Sequence, residues 1–188
     1  MSVAFLQSQS LNPNLSLDKK ILNLYVINMK QLSGVLGVLR IVLGSIFLWA
    51  FFDKLLGLGY STLPAKSWLA GSSPTFGFLK GAAGTFASQF QMLAGNPVVD
   101  WLFMLGLLGI GLALVLGIAL RIATISGVVL MLLMWLAVFP PKTNPIVDDH
   151  IIYALVFLLL YKANAGDVLG FGKAWKKSSL VKQYPILG

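Results

Sequence analysis

Two apolar runs constrain this chain more than any other feature. Residues 98–119 and 122–139 carry no charge apart from Asp100, and only a short turn with Arg121 separates them. A bilayer core of about 30 Å is crossed by roughly 20 mostly apolar residues in a helix, and both runs satisfy that. A third run, 32–58, satisfies it with Arg40, Asp53 and Lys54 inside. A fourth, 148–165, is the shortest, at roughly 27 Å by helical rise. Composition agrees. Of 188 residues 57% are hydrophobic and 11% charged, with mean hydropathy +0.85, whereas a soluble domain carries about a quarter charged residues. The expected fold is an all-α integral membrane protein, a bundle of four transmembrane helices.

Several chemistries are excluded by what the chain lacks. It has no cysteine and a single histidine, His150. Disulfides, Fe–S clusters, thiolate-bound metal and a cysteine nucleophile are ruled out, as is bis-histidine haem within this chain. No haem, Fe–S or metal centre is expected here. All six acidic residues are Asp. The net charge of +8 reads as membrane topology and anionic lipid rather than nucleic acid. The first 16 residues contain no base and no small-residue cleavage site after an apolar run, unlike a cleaved signal peptide.

The basic residues sort by side. Ten lie at or before the first span, in the turn at Arg121, or at and after the end of the fourth; four, Lys54, Lys66, Lys80 and Lys142, lie on the other side. The richer side is expected to be cytoplasmic. Both termini are then inside, and the connections 59–97 and 140–147 outside. Asp53, Asp100, Asp148 and Asp149 fall at outer helix ends. The domain plan is an N-terminal extension over 1–31 with an interfacial helix, a membrane domain over 32–166, and a cationic amphipathic tail over 167–188. The tail joins Phe171, Trp175, Leu180 and Tyr184 to four lysines, a composition suited to anionic lipid.

Two short sequences recur in order. LRI stands at 39–41 and 120–122; NPVVD at 96–100 returns as NPIVD at 144–148. The offsets, 81 and 48 residues, differ by 33, the extra length of the first outer connection. This pattern predicts two parallel helix-pair repeats about an axis along the membrane normal. Proline disfavours helix in the residue before it, and Asp near a helix start meets free amides and the positive dipole end. Asp100 and Asp148 are therefore helix-start residues first. The repeat leaves Asp149–His150 unexplained, because the first copy has Trp101–Leu102 there. It also aligns Asp53 with Met134, roughly 9 Å below the outer helix end. Lys54 is about 100° round the helix from Asp53, so the two do not pair along one face, and Lys54 is free to snorkel outward.

Gly109, Ala113 and Gly117 lie four apart, a small-residue face for close helix packing in lipid, and Gly34, Gly37 and Gly44 are expected to do similar work in the first span. The outer insert holds Trp68, Phe76, Phe78, Phe86 and Phe90. It reads equally as an interfacial loop or as a lid over an outer-face site.

LRIVLGSIFLWAFFDKL in the first span, NPIVDDHIIYALVFLLL at the fourth and the tail LGFGKAWKKSSLVKQYP resemble the DoxX/DoxD family of small four-helix membrane proteins, over about residues 33–187. The family includes the membrane subunit of an archaeal thiosulfate:quinone oxidoreductase, which works with a second subunit, DoxA. The resemblance implies a prokaryotic cell membrane, oxidation of thiosulfate to tetrathionate, and a membrane quinone as electron acceptor.

Two functions follow from it. In the first the chain is a quinone-linked oxidoreductase subunit. His150 exchanges a quinol proton near neutral pH, Asp149 or Asp53 orients it or relays the proton, and Lys54 attracts an anionic sulfur substrate. Asp100 joins them at the outer face, and Trp101, Trp135 and Tyr153 line an apolar quinone pocket. In the second the chain is a non-catalytic subunit of a larger respiratory or photosynthetic complex, and Asp149–His150 is a hydrated helix start. Both predict other membrane subunits as partners.

Overall fold

The computed structural model describes residues 13–142 and 144–188, and every regular element among them is helical. Residues 1–12, the start of the N-terminal extension, lie outside them. The elements are α1 (Pro13–Leu56), α2 (Phe76–Lys80) and α3 (Ala87–Met92) in the outer connection, α4 (Pro97–Leu116), α5 (Leu120–Val138), α6 (Asp149–Lys162), and α7 (Gly172–Lys176) and α8 (Ser179–Gln183) in the tail. Three stretches are long and apolar enough to cross a membrane: Val26–Leu56, Pro97–Leu116 and Leu120–Val138. Helix α6, in the fourth expected span, has 14 residues, roughly 21 Å.

The chain divides into compact units of residues 1–35 and 36–188. In the first, Ile21, Leu22, Leu24, Val26 and Ile27 are exposed, and Ser33 Oγ donates to the Lys30 carbonyl over 2.8 Å.

The second unit holds the core. Leu36, Leu43, Phe47 and Phe51 of α1 are buried at spacings of seven, four and four, which put them on one helical face. They meet Met104, Leu107, Ile110 and Leu114 of α4 and Phe157 and Leu160 of α6. The Phe47 ring stands edge-on to Phe157 at 5.5 Å. The outward faces are equally apolar: Val38, Val42 and Trp49 on α1, Leu105 and Leu112 on α4, Ile125 and Leu132 on α5, Leu155 and Leu158 on α6 are all exposed. A helix apolar all round needs either a deep core or a lipid solvent. No protein covers these faces among the described residues, and a bilayer is the solvent they suit.

Helix contact differs from the small-residue face read in the sequence. Gly109 has open space around its Cα, and Gly117 ends α4 in the left-handed region with φ +74°. The close approach of α1 to α4 uses Gly44, as expected, with Gly111 in place of Gly109. A Cβ added at Gly111 would lie 2.7 Å from Leu48 Cγ, and one at Gly44 2.8 Å from Leu114 Cβ. On α5, Gly127 faces the Phe157 ring in the same manner, and Thr124 Oγ1 donates to the Phe157 carbonyl over 3.3 Å.

The recurring NP element is used in two ways. Asn96 caps α4, its side chain accepting from Val98 N at 2.9 Å with Pro97 in the first turn. Asn144 accepts from Ile146 N and Val147 N at 2.9 and 3.0 Å, but α6 starts later, under Asp148. The LRI pair diverges as well: Arg40 is fully buried and Arg121 exposed.

Candidate functional site

Arg40 fixes one end of the bundle. It is 0% exposed, and its guanidinium donates to five backbone carbonyls. Nη1 reaches Leu114 and, at 3.0 Å, Val115; Nε reaches Ala165 at 3.2 Å; Nη2 reaches Val168 and Leu169 at 3.3 and 2.9 Å. Leu114 and Val115 lie in the last turn of α4, whose carbonyls carry the negative dipole end; Leu114 also accepts from Gly117 N at 3.2 Å. Gly117 is required here, because a Cβ would meet Arg40 Nη1 at 3.0 Å and the Gly166 carbonyl oxygen at 2.9 Å.

The opposite end carries the outer insert, and two acids pin it. Asp53, 1% exposed, sits at the end of α1. It accepts from Tyr60 N at 3.3 Å on Oδ1, and from Ser61 N and Ser61 Oγ at 3.1 and 2.6 Å on Oδ2. Asp100 is buried in the first turns of α4. Its Oδ1 accepts from Ser73 Oγ at 2.8 Å, Thr75 Oγ1 at 2.5 Å and Thr75 N at 3.3 Å. Backbone bonds add to this. Trp68 N and Leu69 N donate to the Lys54 and Leu55 carbonyls, and Ala83 N and Thr85 N to those of Ala137 and Phe139. These are terminal carbonyls of α1 and α5 that a helix leaves free. The insert is thus a cap tied to three helix ends.

Beneath this cap, between α4 and α5, lies a cleft of about 550 Å³. Phe103, Gly106 and Ile110 of α4 and Val129, Leu130 and Leu133 of α5 form its walls, and Phe78, Phe90 and Leu93 of the cap roof it. Among the described residues Lys54 is the one charged side chain lining it, with the Thr75 hydroxyl nearby on the wall. Lys54 is half-buried and makes no ion pair among the described residues; it turns toward the cleft instead of snorkelling clear of the protein. Leu102, Val129 and Leu133 are both lining and exposed, so the cleft opens sideways, on the face that a bilayer would cover.

The residues expected to act together are distributed. Lys54 alone lines the cleft. Asp100 touches its wall through Thr75. Asp53 is enclosed by the 60–61 turn. Asp148 caps α6, Oδ1 accepting from His150 N at 3.1 Å while Oδ2 lies 2.8 Å from His150 Nδ1. Asp149 is exposed and without a hydrogen bond among the described residues. No hydrogen bond or ion pair among those residues joins Asp149 or His150 to Asp53, Lys54 or Asp100. The expected aromatic wall is likewise absent. Trp101 stands edge-on to Trp68 at 4.6 Å and is 57% exposed. Trp135 Nε1 donates to the Ile146 carbonyl over 2.9 Å, and Tyr153 packs on the core. Each is held by a nearer partner. The wall residues overlooked in the sequence had a signal: Gly106 and Ser126, small side chains on adjacent helices, both border the space.

Comparison of the chain with family models, with curated proteins and with solved structures finds no match.

Proposed function

We propose that this chain is a DoxX/DoxD-like membrane subunit whose part in a redox complex is to hold a lipid-soluble quinone in the cleft under the outer cap. The observation that carries this reading is the cleft itself. Its volume of about 550 Å³ falls among sites that bury one small molecule, mostly apolar with a few polar groups. Phe103 and Ile110 would flank the tail, and the Lys54 ammonium would donate to a ring oxygen. Oxidation of thiosulfate or a related sulfur compound would fall to a second subunit docking at the outer face, where Asp149 and His150 are available for proton exchange. In this reading α6 is the fourth span, supported by its apolar outer residues Ile152, Leu155, Leu158 and Leu159. Both termini are cytoplasmic in a prokaryotic cell membrane, and the lysine-bearing tail rests on anionic lipid.

The test is to purify the full chain in mild detergent and extract its lipids. Wild-type protein is expected to carry quinone, and Gly106→Phe, which fills the cleft, to lose it while remaining folded. Thiosulfate-dependent quinone reduction by the complex is expected to fall in His150→Ala with quinone content unchanged. Equal quinone in wild type and Gly106→Phe would defeat the proposal.

A specific observation favours a second reading, a non-catalytic subunit of a larger respiratory or photosynthetic complex. His150 Nδ1 is engaged by Asp148 at 2.8 Å, as expected of a plain helix start. Recovery inside a large complex whose activity ignores His150→Ala would select it.

A further inference from the structure

We infer that the cleft selects single-chain amphiphiles with an anionic head, of which a long-chain carboxylate is the simplest. The inference rests on the cleft being a site for lipid-borne molecules, as proposed above, but not on the occupant being a quinone. Lys54 is half-buried and bears the only charge on the lining among the described residues. Its neighbour in sequence makes no direct ion pair with it among the described residues, because the Asp53 carboxylate is turned to Tyr60 and Ser61. Asp100 Oδ1 faces Ser73 and Thr75, so Thr75 stands between that acid and the space. An ammonium held against apolar walls is costly unless it is paired and hydrogen-bonded. A neutral ring oxygen supplies a hydrogen bond and leaves the charge unpaired. A carboxylate or phosphate supplies both. The remaining lining from Phe103 to Ile110 and from Val129 to Leu133 is apolar, and the lateral opening at Leu102 and Leu133 admits a chain directly from the bilayer.

The experiment measures equilibrium binding of radiolabelled palmitate, hexadecanol and hexadecyl phosphate to the full-length protein in uncharged detergent. Palmitate is expected to bind at least tenfold more tightly than hexadecanol, its uncharged counterpart. Lys54→Gln should remove the difference while leaving hexadecanol unchanged, and Lys54→Arg should keep it. Gly106→Phe should weaken both, placing them in the cleft. Hexadecyl phosphate matching palmitate would support the anionic head and extend it to phosphate-bearing lipids. Palmitate binding no tighter than hexadecanol in the wild type would overturn the inference, a result that needs no variant to fold. Quinone carried with no carboxylate preference would sink this inference alone. Carboxylate preference without quinone would sink only the quinone reading.

Discussion

Arg40 Nη2 donates to the carbonyl oxygen of Leu169 over 2.9 Å, joining α1 to the segment that follows α6. The same guanidinium holds the last turn of α4 through Val115 at 3.0 Å. No carboxylate pairs with it among the described residues; helix-terminal carbonyls do the neutralising. Arg40→Leu would remove a donor from five carbonyls, of which Leu114 and Ala165 keep a backbone donor in Gly117 N and Val168 N, at about 3 kcal/mol in total. Arg40→Lys should recover only part, because an ammonium cannot spread its donors as a planar fork does. Thermal unfolding of the detergent-solubilised protein is the measurement. Midpoints ordered wild type, Lys, Leu are expected; a Leu variant as stable as wild type would show that the carbonyls are satisfied otherwise.

Asp53 and Asp100 respond differently to the same substitution. All three bonds to Asp100 fall on Oδ1, so an Asn oxygen can accept them all. Asp53 accepts on both oxygens, and an Asn there must set an NH₂ against either the Tyr60 or the Ser61 amide. Asp53→Asn should cost about 1–3 kcal/mol more than Asp100→Asn, the range for an unsatisfied buried donor. Hydrogen exchange of the amides at 60–61 and 73–75 reads this directly. Faster exchange at 60–61 in the first variant, with 73–75 nearly unchanged in the second, is the expected outcome. Equal protection in both would contradict the geometry.

What was legible in the sequence follows from how far each signal acts. The membrane-capable runs were legible because apolar length is a local property; Pro97–Leu116 and Leu120–Val138 sit within the runs 98–119 and 122–139 to a few residues. The capping role of Asp148 was legible for the same reason. The site was not. Four acids at one set of helix ends suggested a single cluster, but Asp53 found donors at Tyr60 and Ser61, Asp148 at His150 and Asp100 in the outer insert, and Asp149 found none among the described residues. Local hydrogen bonds form at little entropic cost and take polar groups away from distant partners. The cleft depends on α4, α5 and the cap meeting, and of its lining only Lys54 and the insert's Phe78 and Phe90 stood out beforehand. Arg40 stood out as an intramembrane charge, but carbonyls as its sole partners are invisible in a residue string, since every residue has one.

Asp148 and His150 form a local pair whose weights can be separated. Asp148→Ala removes the acceptor for His150 N and the partner of Nδ1 together, and loss of a helix cap costs about 1 kcal/mol. His150→Ala keeps the backbone cap and should cost less. Neither residue lines the cleft, so palmitate affinity should be unchanged in both variants. A tenfold loss of binding in His150→Ala with an unaltered unfolding midpoint would place the histidine at the ligand, against the structure.

Gly109 and Gly111 give the sharpest test of the packing, because they differ by two positions in one helix. Alanine at either gains the same intrinsic helix propensity, up to about 1 kcal/mol. At Gly109 a methyl group enters open space; at Gly111 it would lie 2.7 Å from Leu48 Cγ and 3.0 Å from Leu48 N. The second contact is with backbone, which a rotamer change does not relieve, and overpacking of that kind costs about 1–3 kcal/mol. Gly109→Ala should leave the unfolding midpoint unchanged or raise it, and Gly111→Ala should lower it. If the small-residue face at Gly109, Ala113 and Gly117 were the helix contact, the order would reverse, and Gly109→Ala would be the damaging change.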